Sequence, residues 1–243
     1  MNSYSLKLLI IYLLYVIQSF SLKTKQLPFY FNWLEYKPDC IHSVRSSGKC
    51  NSSYAFSIAS MLESRICIIT GQETEISPQQ LISCDTKNRG CNGGSIINSL
   101  NFAKSNGFTS EEDYKYTSQD GGVEDCHQYK RFVYTLSDIE KFDSQGPIMQ
   151  EIMFNGPVSA EMNLYEDFLS FKGEIYKHQE GSKLIRKHNI LIIGWIRENT
   201  SNEEFWIVKN SFGTDWGNKG YFKIKFGECD IESNVLSIHI DIK

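Results

Sequence analysis

A chain of 243 residues, 41% of them hydrophobic and 13% aromatic, can bury a substantial core in one large domain or two small ones. Its 29 acidic residues outnumber its 25 lysines and arginines, for a net charge of -4. Because the basic residues are scattered, the sequence lacks the dense basic surface that nucleic-acid binding requires, and we exclude nucleic acid as a partner.

The N-terminal segment has the pattern of a signal peptide over residues 1–21. Residues 1–7 are short and end in a lysine, residues 8–17 are almost wholly apolar, and Ser19 and Ser21 suit cleavage. The apolar run is too short for a comfortable transmembrane helix. We therefore expect a mature chain from residue 22, without stable membrane insertion. We expect it in the secretory pathway and then in the extracellular space or a lysosome- or vacuole-like lumen. A retained membrane anchor is the alternative.

The seven cysteines fit an oxidising compartment, and their odd number leaves at least one unpaired within a monomer. Six lie between Cys40 and Cys126 and the seventh is Cys229, so two parts of the chain are expected to be stabilised differently. Zinc is the competing interpretation, but the sequence has no CxxC pair and no HExxH, and its five histidines are dispersed. We therefore predict no metal site and no cofactor.

The first half of the chain carries helical signals. From Ser53 on, apolar residues recur at helical spacing and predict a buried helix of about four turns. Ser77, followed by proline, starts a second helix, and Gln80 completes a capping box. A third helix is predicted over about 95–105, ended by Gly107.

From about residue 132 the pattern changes to short strands separated by turns rich in Gly and Asn, after one short helix at 147–154. The predicted strands are 158–162, 189–196, 205–209, 221–226 and 235–240. Helices followed by strands indicate an α+β fold, here of two lobes. A site between two lobes lies in a cleft, where ligand pockets are often found.

Three segments carry the candidate chemistry: GKCNSSYAFS at 48–57, KHN at 187–189 and VKNSFGTDWG at 208–217. In their order and spacing they resemble the three active-site segments of the papain-like cysteine peptidases. CDTKNRGCNGG at 84–94 looks like the family's disulfide loop, and SRICI at 64–68 and CDIES at 229–233 resemble its cathepsin B branch. The resemblance covers about residues 27–243.

The resemblance implies a papain-like two-lobe fold. It implies a helical N-terminal lobe at about 40–131 and an antiparallel, β-barrel-like C-terminal lobe at about 132–243 that also takes in 27–39. The active-site cleft would lie between these lobes. For the cysteines it implies three disulfides and a free Cys229. The implied pairs are Cys40 with Cys67, Cys50 with Cys91, and Cys84 with Cys126.

The resemblance also assigns roles to single residues. Ser53 stands at the nucleophile position, at the start of a long helix whose dipole stabilises negative charge. His188 would be the base, and Asn210 would set its tautomer and direction. Phe212 and Trp216 would shield that hydrogen bond from water. The remaining groove positions are Gly93, Gly94 and Asn234, the last standing where cathepsin B has a pocket Glu.

Two side chains depart from the family pattern. Where the family has a nucleophilic cysteine, this chain has Ser53, and a hydroxyl cannot form the thiolate that a thiol forms beside an imidazolium. Where the family has an oxyanion-donating glutamine, this chain has Ser47, which is too short to reach the same point. Loss of one such donor typically lowers the rate about 100- to 1,000-fold.

Two further features concern the ends of the chain and its glycans. We expect the chain to lack the long inhibitory propeptide of the family's zymogens, because only residues 22–26 separate the expected signal peptide from Leu27. A misassembled gene model is the alternative. Asn51-Ser52-Ser53 and Asn199-Thr200-Ser201 are glycosylation sequons. We expect the helix after Cys50 to bury Asn51 and disfavour a glycan there.

Three functional hypotheses follow from these residues. In the first, which the departures favour, the chain is a secreted, catalytically impaired homologue whose cleft binds a peptide or protein ligand, cystatin-like inhibitors among them, as a monomer. The second is an active endopeptidase with Ser53 as nucleophile, His188 as base and the backbone N–H of Ser53 as oxyanion donor. The third is a structural secreted protein that makes no use of the groove.

Overall fold

The computed structural model describes residues 27–130, 134–198 and 203–241. The expected signal peptide and the sequon at Asn199 lie outside these residues. Within the described ranges, no helix combines the length and apolar character that crossing a membrane requires.

The helices agree in position with the three predicted in the first half, and α5 starts two residues before the short helix predicted at 147–154. They are α1 Trp33–Tyr36, α2 Ser53–Thr70, α3 Pro78–Cys84, α4 Ile96–Asn106, α5 Gln145–Asn155 and α6 Glu166–Leu169. Helix α2 has 18 residues, or about five turns, one more than expected. Every residue from Tyr54 to Cys67 is buried, polar residues included. The spacing of the apolar residues alone therefore predicted too short a helix.

Each predicted strand is present, and three more accompany them. The strands are β1 Tyr30–Asn32, β2 Thr135–Phe142, β3 Val158–Tyr165, β4 Ile175–Tyr176, β5 Leu184–Arg197, β6 Glu204–Lys209, β7 Tyr221–Lys225 and β8 Val235–Asp241. The three strands without a predicted counterpart are β1, β2 and β4. Charged residues interrupt β2, and β4 has only two residues, so neither has a clear apolar alternation.

The eight strands form one sheet in the order β2-β8-β3-β5-β6-β7-β4, and β1 pairs with β5. The expectation of an antiparallel, barrel-like lobe is wrong in two respects. Among the described strands the two ends of the sheet do not pair, and β4 runs parallel to β7. The α+β class and the papain-like arrangement of helices against a sheet remain.

Strand β5, with 14 residues, is the longest strand of the sheet. Its first part pairs with β3, and its last residues pair with both β1 and β6, with an irregular register between Ile192 and Gly194. A side chain at Gly194 would collide with the backbone oxygen of Phe31 on β1. Glycine at this position therefore lets the N-terminal strand lie directly on β5.

The predicted capping of α3 is half right. The hydroxyl of Ser77 accepts a hydrogen bond from the backbone N–H of Gln80 at 3.2 Å. The Gln80 side chain does not return to Ser77, because it bonds the backbone of Gly107 and Thr109 instead, and the N–H of Ser77 donates to Thr109. Gln80 therefore ties α3 to the segment after α4.

Buried polar contacts join α2 to the sheet. The Arg65 guanidinium donates to Glu151 at 2.8 Å and to the carbonyls of Pro157, Gly156 and Ile238. Nearer the start of α2, Ser57 bonds Ser159 on β3 at 2.5 Å. A continuous cluster of buried apolar side chains also extends from α2 and α4 to β3, β5 and β8. The two lobes therefore share one core.

Candidate active site

Three elements meet at the candidate site. Ser53 is the first residue of α2, His188 lies on β5, and Asn210 directly follows β6. Strands β5 and β6 are neighbours, and Leu191 pairs with Lys209, which brings His188 and Asn210 together. Helix α2 packs against β5, so its N-terminus reaches the same place.

The hydrogen bonds of Asn210 determine the tautomer of His188. The Oδ1 atom of Asn210 accepts from the backbone N–H of Ser211 at 2.8 Å. The same oxygen lies 2.8 Å from Nε2 of His188, which must therefore donate. In a neutral ring the proton is then on Nε2 and the lone pair on Nδ1. Nδ1 is buried and has no hydrogen-bond partner among the described residues.

Burial keeps the His188 ring neutral. It lowers the pKa of His188 to about 4, the hydrogen bond to Asn210 opposes this shift, and the charge of Arg186 adds to it. The side chain is 1% exposed, so water does not solvate the imidazolium form. At neutral pH the site holds an uncharged imidazole with a free lone pair.

The hydroxyl of Ser53 bonds to the backbone rather than to the imidazole. Its Oγ accepts from the backbone N–H of Asn189 at 3.1 Å, and no hydrogen bond joins it to His188. The N–H of Ser53 is one of the first four of α2, which have no carbonyl partner within the helix. The fold therefore brings Ser53, His188 and Asn210 together, but the Ser53 hydroxyl and the His188 imidazole are not hydrogen-bonded to each other in this arrangement.

Aromatic side chains surround the imidazole. The Phe212 ring lies 4.7 Å from the His188 ring, and Trp216 packs edge-on against Phe212 at 5.5 Å. Trp216 is buried and its indole N–H donates to the carbonyl of Phe168 at 2.8 Å. Phe168, on α6, also contacts the rings of Phe212 and Trp216. No sequence motif around Phe168 predicted this role.

Ser47 is buried where the two lobes meet. Its N–H donates to the carbonyl of Ser211 at 2.9 Å, and its own carbonyl accepts from the Tyr116 hydroxyl at 2.7 Å and from the N–H of Cys50. The first bond connects Ser47 to the segment that carries Asn210, and the other two connect it to Tyr116 and Cys50 in the helical lobe. Its backbone thus helps to align the two sides of the site.

The remaining groove residues lie on two different elements. Gly93 has a φ of 95°, and a side chain at Gly94 would come within 2.9 Å of Tyr54, so both positions need glycine. Asn234 precedes β8, and its carbonyl accepts from the N–H of Glu161 on β3. Since Glu161 pairs with Asn189, Asn234 lies one strand away from the His188 strand.

The disulfides are those that the resemblance implied. Cys40 bonds Cys67, Cys50 bonds Cys91 and Cys84 bonds Cys126, while Cys229 is free and buried. The Cys50–Cys91 bond lies three residues before Ser53 and holds the approach to α2 against the glycine loop. Asn51, which lies between Cys50 and Ser53, is exposed. The expectation that helix α2 would bury it is therefore wrong.

One cluster in the described residues has the spacing of a metal site. Ligand atoms of Glu140, Glu151 and His239 lie within 4.8 Å of one another. Both oxygens of Glu151 are already bonded, one to Arg65 and the other to Asn155. We therefore interpret the cluster as an ion-pair network rather than a metal centre.

A groove of about 400 Å³ opens next to Phe212, the ring that packs on the His188 imidazole, and we call it the Trp216 groove. Its walls include Leu169, Lys172, Arg186, Phe212, Asp215 and Trp216. Arg186 was not among the predicted site residues, although its place two residues before His188 could have indicated it. In an extended strand, residues two apart share a face, so Arg186 lies on the same face of β5 as His188.

Comparison with known sequences agrees with this geometry. The profile of the papain family cysteine proteases matches residues 27–239. Cathepsin B of Dictyostelium discoideum is 29% identical over 243 residues, which cover 91% of this chain and 77% of that protein. The human tubulointerstitial nephritis antigen-like protein is 32% identical over 253 residues, covering 87% of this chain but only 54% of that protein.

A solved structure gives the same result. The chain is similar to procathepsin B S9 from Trypanosoma congolense, with a TM-score of 0.82 and 25% sequence identity. The match covers 90% of this chain and 80% of that chain.

Proposed function

The chain belongs to the papain family of cysteine proteases, and from that premise we propose that it is a catalytically impaired, cathepsin B-like homologue that binds peptides or a protein partner in its cleft. The observation that carries the proposal is the hydrogen bond of Ser53. Its hydroxyl accepts an N–H from Asn189, while Nδ1 of His188 has no partner. The groups that catalysis would couple are not hydrogen-bonded to each other.

The chemistry of Ser53 supports impairment. The resemblance aligns it with the family's nucleophilic cysteine, whose thiolate forms at neutral pH beside an imidazolium. A serine must instead lose its proton to a base during attack, and a base works best when its pKa is near the ambient pH. With its pKa lowered to about 4, His188 is a weak base at pH 7.

The position of Ser47 supports it further. The resemblance puts Ser47 where the family has a glutamine that donates to the oxyanion, and removal of such a donor typically lowers kcat about 100- to 1,000-fold. The backbone N–H of Ser53 at the start of α2 would be the donor that remains. A cleft with this loss still has walls suited to holding a peptide, among them Phe212 and Trp216.

The disulfides support a place in the secretory pathway, and within it the extracellular space or a lysosome- or vacuole-like lumen. Three disulfides persist in an oxidising compartment and are rare in the cytosol. Cystatin-like inhibitors remain candidate ligands for the cleft.

One observation favours a second function, that of an active peptidase. The lone pair of His188 Nδ1 is free, and the hydrogen bond to Asn210 holds the ring in the tautomer that a general base needs. If Ser53 turned away from Asn189 on substrate binding, His188 could take its proton. Hydrolysis of peptide bonds would then proceed with Ser53 as nucleophile.

The test is peptide hydrolysis by the refolded, disulfide-bonded protein beside its Ser53→Cys variant. Refolded, unglycosylated protein is required because Ser53→Cys also changes the Asn51-Ser52-Ser53 sequon. We expect the native protein to be silent and Ser53→Cys to cleave, with cleavage lost again in Ser53→Cys/His188→Ala. If the native protein cleaves and His188→Ala abolishes this, the impaired function is wrong and the second function is right.

A binding measurement separates the proposal from a purely structural role. The native protein should bind peptides without turning them over. If neither the native protein nor Ser53→Cys hydrolyses peptides but the native protein binds them, Ser47 also blocks catalysis. Absence of both hydrolysis and peptide binding would contradict the proposed function.

A further inference from the structure

The Trp216 groove contains an arginine, Arg186, that has no hydrogen-bonding partner in the part of the chain that the structure describes. Among the described residues, four arginines are buried or half-buried, and three of them pair with a carboxylate: Arg45 with Glu63, Arg65 with Glu151 and Arg197 with Glu204. Arg186 is half-buried too, but no carboxylate or carbonyl in the described residues bonds its guanidinium. This charge is thus partly removed from water without compensation from the protein.

Leaving such a charge unpaired costs free energy. Burial lowers the pKa of Arg186, which reflects the loss of water around its charge. A guanidinium is a rigid fork of donors that fits a carboxylate through two parallel hydrogen bonds. An incoming carboxylate would restore the lost interactions, so the position is better suited to a bound ligand than to the free protein.

The rest of the groove fits a peptide with a negative charge. Lys172 adds a second cation, and its ammonium group donates to the backbone carbonyl of Asp215, which joins the two loops that border the groove. The Asp215 carboxylate would repel a bound anion, yet it is exposed to solvent and forms no ion pair with Arg186. Two cations against one carboxylate leave the groove positive, and Leu169 and Phe212 supply apolar walls.

The position of Arg186 connects this charge to the site. It lies two residues before His188 on the same face of β5, and its charge acts on the imidazole. A peptide that lies across Ser53 and His188 would therefore present a neighbouring residue to Arg186.

We propose that the Trp216 groove selects peptides that carry a carboxylate, which Arg186 binds while the apolar walls hold the adjoining part of the peptide. The inference rests on the proposed binding function and names the ligand class of the same cleft. The carboxylate comes from a Glu or Asp side chain or from the C-terminus of the peptide, and both sources offer the same chemistry to Arg186.

The test uses an array of random-sequence heptapeptides in matched forms, probed with the full disulfide-bonded chain. Each sequence carries Glu or Gln at one position and ends in a free carboxylate or an amide. We expect the carboxylate form to bind about tenfold or more tightly than its amide twin, the usual effect of a charge-assisted hydrogen bond. A Glu-over-Gln preference identifies the side chain as the source, and a terminal preference identifies the C-terminus.

Three variants assign the effect to its residue. Arg186→Gln should bring the ratio of the dissociation constants of the amide and carboxylate forms close to one. Arg186→Lys should lower this ratio only in part, because lysine keeps the charge but cannot form the two parallel hydrogen bonds of a guanidinium. The matched control is Lys187→Gln, which removes the same charge from an exposed neighbour on the opposite face of β5 and should leave the ratio unchanged. Urea midpoints measured in parallel confirm that each variant is folded.

Contrary results separate this inference from the proposed function. Equal losses in Arg186→Gln and Lys187→Gln would mean general electrostatic attraction and would overturn the role of Arg186. Peptides that bind equally in both forms would overturn the carboxylate preference while leaving peptide binding in the cleft intact. An array on which nothing binds would contradict both.

Discussion

The helical lobe and the β lobe are stabilised by different means although one core extends through both. All three disulfides lie between Cys40 and Cys126, and the described part of the β lobe contains a single cysteine, Cys229, which is free. That lobe depends on its sheet, its aromatic packing and the bonds of Arg65. The site takes Ser53 from the crosslinked side and His188 and Asn210 from the other. Its alignment is therefore set by noncovalent contacts between the lobes.

The largest expected effect is that of reducing the disulfides. Their loops span 27, 41 and 42 residues, and chain entropy predicts a contribution of about 3.5 to 4 kcal/mol from each. We expect reduction to raise amide hydrogen exchange in α3 and α4 well before it does so in β3, β5 and β8. Uniform loss of protection in both lobes would show that the shared core makes them one cooperative unit.

The next effect concerns the buried ion pair that connects the lobes. Arg65→Met leaves the Glu151 carboxylate buried without its partner, and this should lower the free energy of unfolding by about 3 to 5 kcal/mol in urea titrations. Arg65→Met/Glu151→Met should recover most of that loss because no charge then remains buried. A double variant as unstable as the single one would show that the carbonyl contacts of Arg65 matter more than its ion pair.

A smaller effect should appear as pH falls. Burial lowers the pKa of His188 to about 4, whereas the unfolded chain protonates a histidine near pH 6.5. Between these values the unfolded state binds more protons, so stability falls as pH falls from 6.5 to 4, by about 3 kcal/mol in total. His188→Asn should lack this part of the decline, since the other histidines are common to both proteins. Identical slopes would argue against a neutral, buried imidazole.

The smallest effect is on the reactivity of the free cysteine, Cys229, and requires no change to the fold. Burial raises the pKa of Cys229 to about 12, and the charges of Glu228, Asp167 and Asp230 add to this. At pH 8 the native thiol should therefore react with DTNB at least about 100-fold more slowly than in urea. Rapid labelling of the native protein would mean that the β lobe opens locally near the 3₁₀ turn that carries Cys229.

Much of the fold could be read from local patterns. The start of α2 at Ser53, the Ser77 cap and the end of α4 at Gly107 follow from side chains acting within a few residues. The order of the three active-site segments identified the family. Six cysteines allow fifteen pairings, so their spacing left the disulfides open, and the family resemblance supplied them. The turn of Gln80 towards Thr109 and strand β2 were not predictable, because each depends on partners far along the chain.

By itself, then, the sequence determined the family and the α+β class, and it pointed to Ser53, His188 and Asn210 but not to Phe168 or Arg186. Only the tertiary structure decided how those side chains are bonded. The Ser53 hydroxyl accepts from the backbone N–H of Asn189, a contact that side-chain types do not predict. Arg186 has no carboxylate partner among the described residues, which its sequence neighbours also did not predict. Both facts depend on which groups distant strands and helices bring within about 3 Å, a distance at which a hydrogen bond forms or fails.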